Sequence, residues 1–183
     1  MRADDFDYRR MVVEFVCAPG PGVFFRRSAF KAAGGWDPAL RQMPDYDYWL
    51  RLGLVGPFQR VPHTLAAFRV HEASATFSAT PPERAVEPVW ILEKYFARPD
   101  VPAAIRAERD RALASASLVS AQLHLRSGRY GAAWAGVRRA AGLCPGSLPQ
   151  LRVLRQLGNG LFNRLWHRLR WSLRRAGAAE RRA

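Results

Sequence analysis

At 183 residues, 49% of them hydrophobic, the chain has the length and apolar content for one domain plus extras, which excludes global disorder. Its formal charge of +14 is uneven: residues 1–80 carry ten Lys and Arg against eight acids and residues 81–183 nineteen against seven, so the basic excess, which bears on partners rather than on fold, lies mostly beyond residue 80. Two cysteines, Cys17 and Cys144, are too few for a disulfide framework, and with no signal-peptide pattern or apolar run of about 18 residues the chain reads as a reduced cytoplasmic protein without a transmembrane span.

The first predicted unit spans 20–74. Gly22 feeds a strand, Val23-Phe24-Phe25, followed by the basic pair Arg26-Arg27, read as solvated. Ser28 caps a short helix through Ala32 or Ala33, which Gly34-Gly35 ends because glycine takes a left-handed backbone cheaply. Asp45, after Pro44, is placed as the N-cap of an amphipathic helix over 46–55 that Gly56-Pro57 stops. Phe58 to Val61 and Thr64 to Val70 then read as short strands joined at Pro62-His63.

Pro81-Pro82, within 78–83, marks a boundary, beyond which the pattern is helical. One helix is expected over 87–97 and a longer one over 103–126. Ala121, Gly128, Tyr130, Ala133, Val137, Ala140 and Pro145 fall at the spacing of a tetratricopeptide-like helical hairpin. Residues 151–183 hold nine arginines and one acid, with Leu161, Phe162, Leu165, Trp166, Leu169 and Leu173 at helical spacing. That pattern suits either an anionic membrane surface or docking on the preceding hairpin with a solvated arginine face. Nucleic-acid binding is the weaker third option, since no recognised motif accompanies the arginines.

Taken in order, several motifs of 20–74 form one series: Gly22 with Val23-Phe24-Phe25, Gly34-Gly35-Trp36-Asp37-Pro38, Pro44-Asp45-Tyr46-Asp47-Tyr48-Trp49-Leu50-Arg51-Leu52, Gly56-Pro57-Phe58, and Ala67-Phe68-Arg69-Val70-His71 with Ser74. The series resembles the C-terminal half of the catalytic domain of family 2 glycosyltransferases. It covers roughly the first 75 residues. The resemblance implies an α/β fold (α+β in this portion): the acceptor-side half of a GT-A domain over 1–80, a helical extension over 81–150 and a basic amphipathic tail over 151–183.

It also implies chemistry. Local sequence makes Asp45 a helix cap and Asp47 a solvated first-turn carboxylate. The resemblance implies that Asp45 is the general base that takes the acceptor hydroxyl proton during inverting transfer. Pro44 stands where the family usually has a glutamate. Gly22, Asp47, Trp49 and Arg69 are the matching substrate-side residues, although Trp49 read locally is a core aromatic. His71, otherwise an ordinary post-strand histidine, matches a ligand of the divalent metal, Mn²⁺ or Mg²⁺, that holds the donor diphosphate. Neither Asp5-Phe6-Asp7 nor Asp45-Tyr46-Asp47 replaces the Asp-x-Asp element of the nucleotide-binding half. About twenty residues before Gly22 leave no room for that half, since one βαβ unit takes about 30. The expectation is therefore an incomplete enzyme, inactive alone, with a nucleotide-sugar donor, a saccharide or lipid-linked acceptor and a place on the inner face of the cell membrane. The competing expectation is a non-catalytic helical interaction or membrane-surface module.

Overall fold

The chain enters its first helix at Asp7, whose carboxylate accepts from the Arg10 N–H at 2.9 Å and so satisfies one of the free donors at a helix start. The computed structural model describes residues 5–17, 20, 22–67, 79–148, 155, 157, 158 and 160. Among these residues the elements are α1 (Tyr8–Val13), α2 (Arg27–Ala33), α3 (Pro44–Val55), α4 (Pro82–Ala85), α5 (Glu87–Phe96), α6 (Ala103–Arg106), α7 (Arg109–Arg126), α8 (Tyr130–Leu143) and a 3-10 turn at Pro145–Ser147.

The described residues therefore correct the α/β expectation: they contain helices and no strand, which leaves the GT-A half-domain without support. The reason is physical. Val23 to Phe25 and 58–67 carry the β-branched and aromatic residues that favour strands, but a strand exists only through a hydrogen-bonded ladder with a neighbour. Gly22, at φ 91°, lies so close to the second segment that a Cβ there would come within 3.1 Å of the Ala66 Cβ, yet no ladder joins them. Phe58 is held by ring packing on Phe6 and Trp49 instead, at centroid distances of 4.4 and 6.1 Å. The end of the second predicted strand, with Arg69 and His71, lies outside the described residues, as does 161–183.

Several helix expectations also shift. Ser28 does not cap α2, which starts two residues earlier than that cap would place it, after an extended Arg26; Gly34 follows it at φ 78°, where glycine has no Cβ penalty. The predicted helix over 103–126 is broken at Ala107 and Glu108 into α6 and α7. Two short helices, α1 and α4, went unpredicted.

Helices α1, α3, α5 and α7 meet in one core, with Met11, Val12, Tyr46, Leu50, Ile91, Leu92 and Leu113 all buried. Hydrogen bonds fix the six-residue α1 in it: Tyr46 Oη donates to Met11 O at 2.6 Å, and Ser115 Oγ to Val13 O at 2.8 Å. Tyr8 Oη lies 2.9 Å from Leu50 O and 2.8 Å from Tyr95 Oη. Gly53 makes this approach possible, because any Cβ there would run into the Tyr8 ring. Farther on, α7 and α8 pack closely through Gly136, where a Cβ would stand 3.0 Å from Ser117 O, and Gly128 turns the chain between them at φ 77°. No helix among the described residues is long and apolar enough to cross a membrane.

Candidate functional site

The position of α3 is set from a distance by Glu87, the first residue of α5. Its buried carboxylate accepts three consecutive backbone N–H groups, from Arg41 at 2.9 Å, Gln42 at 2.7 Å and Met43 at 3.0 Å. These donors precede α3 and would otherwise be left without partners at its entrance. With the entry fixed, Pro44 takes the first helical position, where its missing N–H loses nothing. Asp45 is therefore not the N-cap that the sequence suggested; Met43 holds that place, and Asp45 is the second residue of the helix.

The two carboxylates of Pro44-Asp45-Tyr46-Asp47 are separated by environment. Asp45 is exposed, and its Oδ1 accepts from the neighbouring Tyr46 N–H at 2.9 Å. Asp47 is 2% exposed, contrary to the solvated carboxylate expected of it. Its Oδ2 accepts from Arg51 Nε at 2.9 Å, one helical turn on, and its Oδ1 lies 2.7 Å from Lys94 Nζ of α5. Lys94 also reaches Asp37 Oδ2 at 2.7 Å, and Arg51 donates to the carbonyls of Ala33 and, at 2.8 Å, of Gly35. The Gly34-Gly35-Trp36-Asp37 turn is thus locked onto α3 and α5 by two cations. The Lys94 ammonium, helped by the Ala39 N–H, holds the Asp37 carboxyl below its ordinary range.

A shallow cleft of about 240 Å³ opens beside this lock, lined by Asp47, Leu50, Arg51, Lys94, Tyr95 and Arg98. Its charges are already committed: Arg98 forms an ion pair with Asp100 at 2.6 Å, and Lys94 and Arg51 are held as above. The cleft is part of the brace behind α3 rather than an open charged site.

On another side of α3, Tyr48 and Trp49 are buried under aromatic rings. Trp36 stacks on Tyr48 at 4.9 Å, Phe25 and Phe30 approach it at 5.8 and 6.2 Å, and Phe25 and Trp36 stand 6.4 and 6.2 Å from Trp49. Neither Tyr48 Oη nor Trp49 Nε1 has a hydrogen-bond partner among the described residues. Trp49 is thus a core residue as it stands, and Gly22 is exposed at the edge of the same region. The structure brings Asp45, Asp47 and Trp49 together on one helix; Arg69 and His71 fall outside the described residues.

Arg51, Lys94 and Glu87 are the residues that sequence reading missed. The Asp47-Arg51 pair was available as an i, i+4 spacing of opposite charges. Lys94 and Glu87 act across more than 40 residues, and no local pattern announces them.

No group of three or more His, Cys, Asp or Glu side chains able to hold a metal occurs among the described residues. Asp37 and Asp47 are neutralised by Lys94 and Arg51, so the donor set around α3 does not fit a divalent cation. Comparison with protein-family models, with curated proteins and with solved structures finds no match to this chain.

Proposed function

We propose that the chain carries the acceptor side of an inverting, family 2 glycosyltransferase-like sugar transfer, with Asp45 as the general base. The observation that supports this reading is the division of labour within one helical turn. Asp47 is sealed by Arg51 and Lys94 and serves as structure, whereas Asp45 remains open to solvent on the same rigid helix. A base must reach an incoming hydroxyl while its position is fixed. Asp45 meets both needs, because Glu87 fixes the entry to α3 and the Asp47 lock fixes the helix behind it.

In this reading an Asp45 carboxylate oxygen takes the proton of the acceptor hydroxyl as that oxygen attacks the anomeric carbon. The bond to the nucleoside diphosphate breaks with inversion. The acceptor is a saccharide or lipid-linked alcohol and the donor a nucleotide-sugar, consistent with a peripheral place on the cytoplasmic membrane face. The divalent metal belongs to the donor site, with His71 as a ligand, and no step at α3 runs through it.

The test supplies the nucleotide-binding half of a family 2 glycosyltransferase to the chain and follows labelled sugar transfer. Asp45→Asn should lower transfer by about 10²–10⁴-fold while leaving donor binding in place. Full activity in that variant would remove the base assignment. A non-catalytic helical interaction module is the second reading. It is favoured by α8, where Tyr130 and Trp134 stand exposed one turn apart.

A further inference from the structure

The aromatic cover of α3 continues to the surface as a patch that the sugar-transfer reading does not use. Phe24 is 86% exposed and Trp36 47%, and Phe25 and Phe30 are also exposed, with their rings stacked at 6.0 Å. Phe25, Phe30 and Trp36 all rest on the buried Tyr48, which joins these three rings on one support, and Phe24 precedes Phe25 in the chain. Large aromatics gathered at a surface mark an interaction site far more often than scattered apolar residues do.

Three cations stand beside the rings, while the neighbouring acid, Asp37, is paired with Lys94. Arg26, Arg27 and Lys31 are exposed and form no ion pair with a described residue, and Arg27 and Lys31 lie one turn apart on α2. From Cys17 to Trp36 the sequence contains no acidic residue. A second copy of this chain would bring like charge against like charge. A surface that is anionic outside and apolar just beneath matches both parts of the patch.

We infer that the Phe24-Phe25-Phe30-Trp36 patch, with Arg26, Arg27 and Lys31, is an interfacial docking site for an anionic lipid bilayer. The rings would enter the boundary between headgroups and acyl chains, where aromatic side chains are favoured, while the three cations stay at the level of the phosphates. Tyr48 and Trp49 beneath them keep the rings from folding inward. This membrane contact does not depend on the sugar-transfer reading.

The experiment uses the full chain and co-sedimentation with vesicles of phosphatidylcholine alone or with 30% phosphatidylserine as a chosen probe. The parent should bind the anionic vesicles and release with salt. Replacing Arg26, Arg27 and Lys31 with Gln should each weaken partitioning roughly fivefold. Phe24→Ser, at a ring that supports no neighbour, should weaken it about tenfold or more with an unchanged circular dichroism spectrum. Variants that bind within twofold of the parent would overturn the proposal and assign any binding to the rest of the chain. A parent that ignores anionic vesicles would also overturn it, as would a Phe24→Ser variant that changes only the oligomeric mass, which would make the patch a contact between copies.

Discussion

Tyr46 and Tyr48 sit two residues apart on α3 and are both fully buried, yet their hydroxyls are treated in opposite ways. Tyr46 Oη donates to Met11 O at 2.6 Å, so its buried hydroxyl is paired. Tyr48 Oη and the adjacent Trp49 Nε1 have no hydrogen-bond partner among the described residues, and the rings above them are half in solvent. Around Tyr46 the polar atoms are paired, whereas Tyr48 and Trp49 are covered by half-exposed rings together with Arg51, 5.3 Å over Tyr48, and Phe58 on Trp49. A buried polar atom without a partner is destabilising, so such atoms gather where binding rather than stability shapes the surface.

The comparison predicts where the fold is brittle. Glu87→Ala should be the most damaging change, because it strands three partly buried backbone donors at once. A loss of about 4 kcal/mol is expected in urea denaturation, and Glu87→Gln should recover part of it by keeping an acceptor. A loss below about 1 kcal/mol would mean that water can replace the carboxylate.

Asp47→Asn should follow, at about 3 kcal/mol, because it leaves Arg51 and Lys94 facing each other without the charge that holds them. Lys94 is partly solvated, which keeps the figure at the lower end for a broken buried pair. Asp47→Asn combined with Lys94→Met should cost less than Asp47→Asn alone. Strict additivity of the two changes would show that the lock is not a unit.

The helices were legible in sequence where caps, breakers and period agreed, as in α3 between Pro44 and Gly56. Their exact starts were not, because Asp45 beside Pro44 satisfies the letter pattern of a cap although Met43 occupies the place. Val23-Phe24-Phe25 shows the larger gap: its composition says strand, but strand formation depends on a partner that no local window contains. The site divides in the same way. The i, i+4 spacing of Asp47 and Arg51 was readable, whereas Lys94 reaches Asp47 across 47 positions, and so the burial that distinguishes Asp47 from Asp45 could not be read.

The two tyrosines give the direct test of the comparison. Tyr46→Phe removes a buried, satisfied hydrogen bond and should cost about 1–2 kcal/mol, since it also leaves Met11 O without that donor. Tyr48→Phe removes an orphan hydroxyl and should be neutral or stabilising by up to about 1 kcal/mol. Equal losses in thermal unfolding would erase the difference between the two tyrosines.

The smallest effect belongs to Asp37, which follows Trp36 and holds Lys94. Its carboxyl is depressed below the ordinary value of 3.8, first by the Lys94 hydrogen bond and then by the Ala39 N–H. A group depressed in the folded state binds fewer protons there than in the unfolded chain. Its contribution is therefore complete above the unfolded value and is lost as pH falls through the folded one. The pair is partly exposed, so the contribution should be well under that of Asp47. Asp37→Asn retains an acceptor for Ala39 but gives up the charge on Lys94. It should unfold at slightly lower urea than the parent at pH 7, and the two midpoints should converge as pH drops below 3.8. A gap that persists unchanged into that acid range would mean that Asp37 acts through packing of the turn and not through its charge.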